Sequence, residues 1–183
     1  MIETSSYIAS ASGSIAVLFH PSAVPVMDVF RSLGAIEDQY DLALLDGPEQ
    51  ALAAYTRPEA AKGIVSDALL LAFALTRQRG RAFSHRPLKS RHGSLDEYCL
   101  MVLISSARFP ASEVTFEAAT ALGIGSLDFM PSLAGELIRQ IDLGALVFDV
   151  PSLPEFRAVT GHRVRSEETI LEASGRPDRH FKI

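Results

Sequence analysis

From Tyr98 to Ile104 the chain runs seven apolar residues without a break (YCLMVLI). Two helical turns with no polar position offer no face to water, so such a helix is buried inside a protein or crosses a membrane. The run is far shorter than the ~20 residues a crossing needs. Its ends are marked. Ser94 and Glu97 stand at the spacing of a capping box, in which serine oxygen and glutamate carboxylate each satisfy an orphan backbone N–H. Pro110 forbids continuation and holds Phe109 extended. A central core helix over Leu95 to Arg108 follows, and other elements must pack around it.

Other helix boundaries are written in the same chemistry. Ser22 opens a helix carrying Val26, Val29, Phe30 and Leu33 at three- and four-residue spacing, with Gly34 as its stop. A weaker segment, Ile36 to Leu45, reads as helical. Asp46 and Thr56 each precede a glutamate by three residues, the second pair with Pro58 in the first turn. The helix from Pro58 is expected to reach Arg79, with Gly63 marking either close packing or a restart at Ser66. Its apolar stretch Ala68 to Leu75 predicts a second buried helix, paired with the first as a hairpin. Ser112 caps a helix over Glu113 to Leu122 closed by Gly123. Ser132 opens an amphipathic helix with Leu133, Ala134, Leu137, Ile138 and Ile141 on one face. Ser152 and Glu155 form another capping box for a helix to Thr160, and Ser166 opens a last one closed by Gly175. Strand candidates are few: Leu146–Val150, and a ribbon formed by the segment 80–88 with Leu146–Val150 or Ile15–Phe19. The expected fold is mainly α: a single-domain multi-helix bundle over 1–183 with two central buried helices, a small β-ribbon at most, and flexible ends at 1–13 and 175–183.

Composition narrows the function classes. With 48% apolar residues the chain has ample material for a core. One cysteine, Cys99, excludes an intramolecular disulfide and a multi-cysteine metal site. No basic residue precedes the first apolar stretch, so a signal peptide is not expected, and the protein is expected to be cytoplasmic. The net charge of −5 argues against general affinity for nucleic acid or an anionic membrane.

That mean hides a segregation. Arg77 to His92 holds six basic residues (Arg77, Arg79, Arg81, Arg86, Lys89, Arg91), His85 and His92, and no acid, so the rest of the chain carries −11. Residues 109–138 contain no lysine or arginine. Arg81 to Gly93 is also longer than the ~2–8 residues that usually join two helices, and long connections tend to be functional or disordered. Guanidinium groups bind carboxylates and phosphates as planar forks. The candidate binding residues are therefore Arg81, His85, Arg86, Lys89, Arg91 and His92, for a small anionic ligand or an acidic protein surface. The opposing expectation is that the protein's own acids neutralise the loop, as solvated charge runs often are.

Catalytic signatures are missing: there is no nucleophile elbow, phosphate loop or zinc-binding histidine pair. The half-pattern of a helix-turn-helix at Phe116 to Ile124 runs into Pro131, and its region lacks basic residues; Phe83 is the only aromatic among the loop cations. Nucleic acid is thus an unfavoured partner, and no metal or cofactor is expected. The leading expectation is a non-catalytic binding or regulatory protein acting through the basic loop. The alternatives are a small enzyme acting on a phosphorylated or carboxylated metabolite, with His85 or His92 moving a proton, and a homo-oligomeric assembly protein, for instance a homodimer.

Overall fold

The computed structural model describes residues 17–39, 41–126 and 129–161. The expected flexible ends and the helix from Ser166 lie outside these residues. Seven α-helices and one two-stranded ribbon are described: β1 (Val17–Leu18), α1 (Val24–Gln39), α2 (Asp46–Leu52), α3 (Pro58–Gln78), β2 (His92–Gly93), α4 (Leu95–Ser106), α5 (Glu113–Leu122), α6 (Met130–Leu143) and α7 (Leu153–Thr160). The mainly α, multi-helix fold expected from the sequence is present.

Helix α4 is its centre. Among its residues only Leu95 is exposed and Met101 half-buried; Leu100, Val102, Leu103 and Ile104 have no exposed surface. Truncating a side chain buried in this way costs roughly 2–5 kcal/mol. The capping box forms as expected, with Ser94 Oγ accepting the Glu97 N–H and the Glu97 carboxylate accepting the Ser94 N–H. Helix α4 packs on α5 and α6, while α3 packs on α6, α1 and α2. The expected α3–α4 hairpin is therefore replaced by a bridged arrangement in which α6 touches both. The reason lies in α6, whose buried stripe of Met130, Ala134, Leu137, Ile138 and Ile141 has two neighbours to fill. Gly63 does not interrupt α3, so the helix does not restart at Ser66; a Cβ there would sit 3.5 Å from the Gln140 side chain of α6, an ordinary contact distance.

Helix α1 departs most from expectation. It passes through Gly34 to Gln39 instead of stopping, and every residue from Ser22 to Leu33 is buried. Ser22 is not its cap. His20 accepts the Ser22 N–H and opens a 3-10 turn over Pro21–Ala23 that leads into the helix. Asp46 is likewise the first residue of α2 rather than its cap, and α3 begins at Pro58 without a side-chain cap from Thr56. Helices α5 and α7 match their sequence signals: Ser112 and Ser152 cap them, and Gly123 and Gly161 close them at φ +73° and +75°.

Leu146–Val150 forms no strand. Leu146 N–H turns back to the Ile141 carbonyl at 3.1 Å, and two further groups are taken by side chains: Val147 N–H donates to Ser22 Oγ, and Phe148 C=O accepts from Arg108 Nη1 at 2.7 Å. The ribbon forms elsewhere, with Val17 opposite Gly93 and Leu18 opposite His92. A Cβ at Gly93 would lie 2.2 Å from the Phe19 ring, so the glycine lets the end of the basic loop lie flat on a buried phenylalanine.

Candidate functional site

The basic loop spans the gap between the C-terminus of α3 and the N-terminus of α4, and three buried carboxylates hold it down. Asp96 and Glu97 come from the first turn of α4, and Asp28 from α1. Asp96 Oδ2 accepts from Arg79 Nη2 at 2.7 Å, from Arg81 Nη1 at 3.0 Å and from the Ser84 N–H at 2.9 Å; its Oδ1 takes Arg81 Nη2 at 2.7 Å. Burial works against ionisation of this carboxyl. The hydrogen bonds from Arg81 and Ser84 and the charge of Arg79 outweigh it, and its pKa falls below the ordinary carboxylate value.

Glu97 and Asp28 share Arg31. Its Nε donates to Glu97 Oε1 at 2.5 Å and its Nη1 to Asp28 Oδ1 at 3.0 Å, with both side chains of the Glu97 pair 1% exposed. Arg31 also donates to the loop carbonyl of Ser90 at 2.9 Å. In return the loop donates backbone N–H groups to the acids, Arg86 to Glu97 at 3.2 Å and Lys89 to both oxygens of Asp28 at 3.0 and 3.1 Å. The loop is thus ordered by carboxylates beneath it. Lys89 adopts φ +64°, a conformation that costs a non-glycine residue of order 1–3 kcal/mol and that persists where surroundings over-determine it. The paired Asp28 bonds supply that constraint.

Three carboxylates (Asp28, Asp96, Glu97) and three guanidiniums (Arg31, Arg79, Arg81) therefore cancel within the cluster. The charge is unevenly shared, because Asp96 serves two arginines while Arg31 serves two acids. Of the expected binding residues, the cluster consumes Arg81, whose side chain still keeps 52% exposure. Arg86, Lys89 and Arg91 have no acidic partner among the described residues. Lys89, Arg91, His85 and His92 are exposed, and Arg86 is half-buried with its Nε unmatched. Arg91 reaches the Phe19 carbonyl at 3.3 Å and so braces the ribbon. His92 does not meet Asp96, whose oxygens are already engaged.

Sequence reasoning missed Asp28 and Arg31, which order the loop from some 60 residues away. The available signal was a pair of opposite charges three residues apart within the mainly apolar run 24–33.

Among the described residues, clefts lie on two sides of α3. One, of about 260 Å³, lies between α1, α3 and the loop, lined by Phe30, Leu33, Ala72, Leu75, Phe83 and others, with Arg79, Arg81 and His85 among its walls. The other, of about 420 Å³, lies along α3 and α6 and is lined by Leu70, Phe73, Ala74, Arg77, Phe129 and Leu133. Cys99 is a poor nucleophile, because burial and, less strongly, the charge of Asp96 push its thiol up to about 12. Among the described residues no three His, Cys, Asp or Glu side chains are grouped to hold a metal ion, and no helix is long and apolar enough to cross a membrane. Comparison of the chain with protein-family models, with curated proteins and with solved structures finds no match.

Proposed function

We propose that this is a non-catalytic binding or regulatory protein whose ordered basic loop engages an acidic protein surface through Arg86, Lys89 and Arg91, with His85 and His92 beside them. One observation carries the reading: the fold spends its buried acids on holding the loop's backbone and inner arginines, and leaves the outer cations unmatched. Apart from His85, none of the outer residues lines either cleft, which suits a broad acidic surface better than an enclosed small anion. Lys89 sharpens the point. A glycine would adopt its backbone conformation without steric cost, so the fold has no need of a lysine at that position.

The test follows from that separation. Lys89→Gly with Arg91→Gln removes two outer charges. The variant loses the side-chain brace to the Phe19 carbonyl but keeps the Phe19 N–H bond to the residue 91 carbonyl at 2.8 Å and the β1–β2 pairing, so the loop should stay folded, as checked by circular dichroism. Binding of a labelled polyglutamate peptide, followed by fluorescence anisotropy, should weaken at least about tenfold, or ~1.4 kcal/mol, and should weaken with added salt in the wild type. Wild-type affinity in a folded double variant would sink the reading.

A second reading, homo-oligomeric assembly, is favoured by the α3–α6 cleft, where Leu70 and Phe129 are 53% and 73% exposed. It requires an oligomer at micromolar concentration by sedimentation that Leu70→Glu converts to monomer. A wild-type monomer would remove it.

A further inference from the structure

We infer that the cleft between α1, α3 and the basic loop is a separate binding site for a small monocarboxylate with an apolar body. The inference goes beyond the acidic-surface reading, since it uses the inner side of the loop and shares only His85 with the outer row. Its chemistry has two parts. The walls contributed by Phe30, Leu33, Ala72 and Leu75 are apolar and close-set, and Phe83 closes the cleft from the loop. At ~260 Å³ the space lies near the lower end of ligand pockets, which suits a metabolite-sized molecule rather than a long chain.

The polar part is a surplus of positive charge. Arg79 and Arg81 both line the cleft and share one carboxylate, Asp96, which leaves that corner one positive charge in excess. The Arg79 side chain is 2% exposed, and its guanidinium is held by Asp96, by the carbonyls of Arg81 and Ala82 and by the ring of Phe83, 5.1 Å away. Its Nη1 is nevertheless buried with no acceptor among the described residues. Leaving a buried donor of a charged group unmatched is unfavourable. A single carboxylate matches both features: it supplies one negative charge and acceptors for a guanidinium, with its hydrocarbon part against the phenylalanine and leucine walls. His85 at the same wall adds a further ring nitrogen. A phosphate dianion would carry more charge than this corner offsets and would leave the apolar walls unused.

The experiment is a calorimetric titration of the whole chain with octanoate, octanamide and acetate. Octanoate should bind at least tenfold more tightly than either of the others, because only it satisfies both charge and walls. Ala82→Trp fills the cleft from an exposed position whose backbone carbonyl, the acceptor for Arg79, is unaffected; Thr76→Phe does so from the exposed side of α3. Each should cost octanoate binding tenfold or more with an unchanged circular dichroism spectrum. The Lys89→Gly, Arg91→Gln variant should bind octanoate as the wild type does, so this test and that of the outer loop fail separately. The inference is overturned if octanamide binds as well as octanoate, if no binding is seen at millimolar octanoate, or if a folded cleft variant retains affinity. Loss in Leu70→Glu instead would assign the binding to the α3–α6 cleft.

Discussion

Replacing Glu97 by glutamine alters almost no volume and removes one buried charge, so it isolates what this carboxylate does for the loop. Glu97 Oε1 accepts from Arg31 Nε and from the Arg86 N–H, and Oε2 accepts from the Ser94 N–H at 2.7 Å. All three partners are donors. A glutamine amide has one oxygen, so its NH₂ group must face either Ser94 or Arg31, donor against donor, in a site with no exposed surface. Arg31 is then left in the core with Asp28 as its only acid. Breaking a buried pair by removing one partner costs about 3–5 kcal/mol. Because Arg31 keeps Asp28 and the Ser90 carbonyl, the low end of that range, ~3 kcal/mol, is the expected loss. For a domain of this size it lowers Tm by roughly 6–12 °C. The assay is denaturant unfolding of the wild type, Glu97→Gln, Arg31→Met and the double variant. In the double variant the stranded guanidinium is gone, so its cost should fall short of the sum of the single costs by at least ~1 kcal/mol. A Glu97→Gln variant within ~1 kcal/mol of wild type, or a cycle that closes additively, would refute the idea that this pair holds the loop.

Three further expectations follow from particular contacts. Gly93→Ala places a methyl group into the ring of buried Phe19 and should destabilise by ~1–3 kcal/mol; Phe19→Leu in the same chain should recover part of that in thermal melts, and a Gly93→Ala variant as stable as wild type would show that the ribbon can move aside. The depressed pKa of Asp96 means its contribution to stability is present above the unfolded carboxylate value, ~3.9, and is lost as pH falls through the lower folded value. Asp96→Asn should therefore flatten the stability–pH profile in that acid window, as read from urea midpoints; an unchanged slope would assign the acid sensitivity elsewhere. With its thiol pushed up to about 12 and buried, Cys99 should resist iodoacetamide in the native protein at pH 8 and react once urea is added, so labelling at a free-thiol rate without denaturant would contradict the burial.

What the sequence disclosed was local. The Ser94–Glu97 and Ser152–Glu155 boxes, the Ser112 cap and the Gly123 stop are all decided within four residues of themselves, and each stands where its spacing placed it. Gly34 and Ser22 carried equally good local signals and were overruled, because α1 is buried on every side through Leu33 and packing extends it past the glycine. Leu146–Val150 has strand composition, yet Ser22 and Arg108 reach its backbone first, and neither side chain is near it in sequence.

The same distinction governs the charge. A run of six basic residues with no acid reads as a positive surface only if acids distant in sequence stay distant in space. Here Asp28, about 60 residues upstream, and the first turn of α4 fold under the run: Asp96 takes up one of the two inner guanidinium charges, Asp28 and Glu97 hold the loop's backbone N–H groups, and these three are the least exposed acids among the described residues. Segregation along the chain thus marks where an electrostatic structure is built, and it does not by itself give the sign of the surface that results. What remains is a loop with two chemically different sides. The inner side pairs two guanidiniums with one carboxylate next to an apolar cleft, and the outer side carries Lys89 and Arg91 in the open on a backbone that buried Asp28 holds in a conformation lysine does not prefer. Under the proposed reading, a backbone ordered in this way would lower the entropy cost of meeting a partner. The physical content of the site is therefore the buried half, which sets where the exposed charges stand.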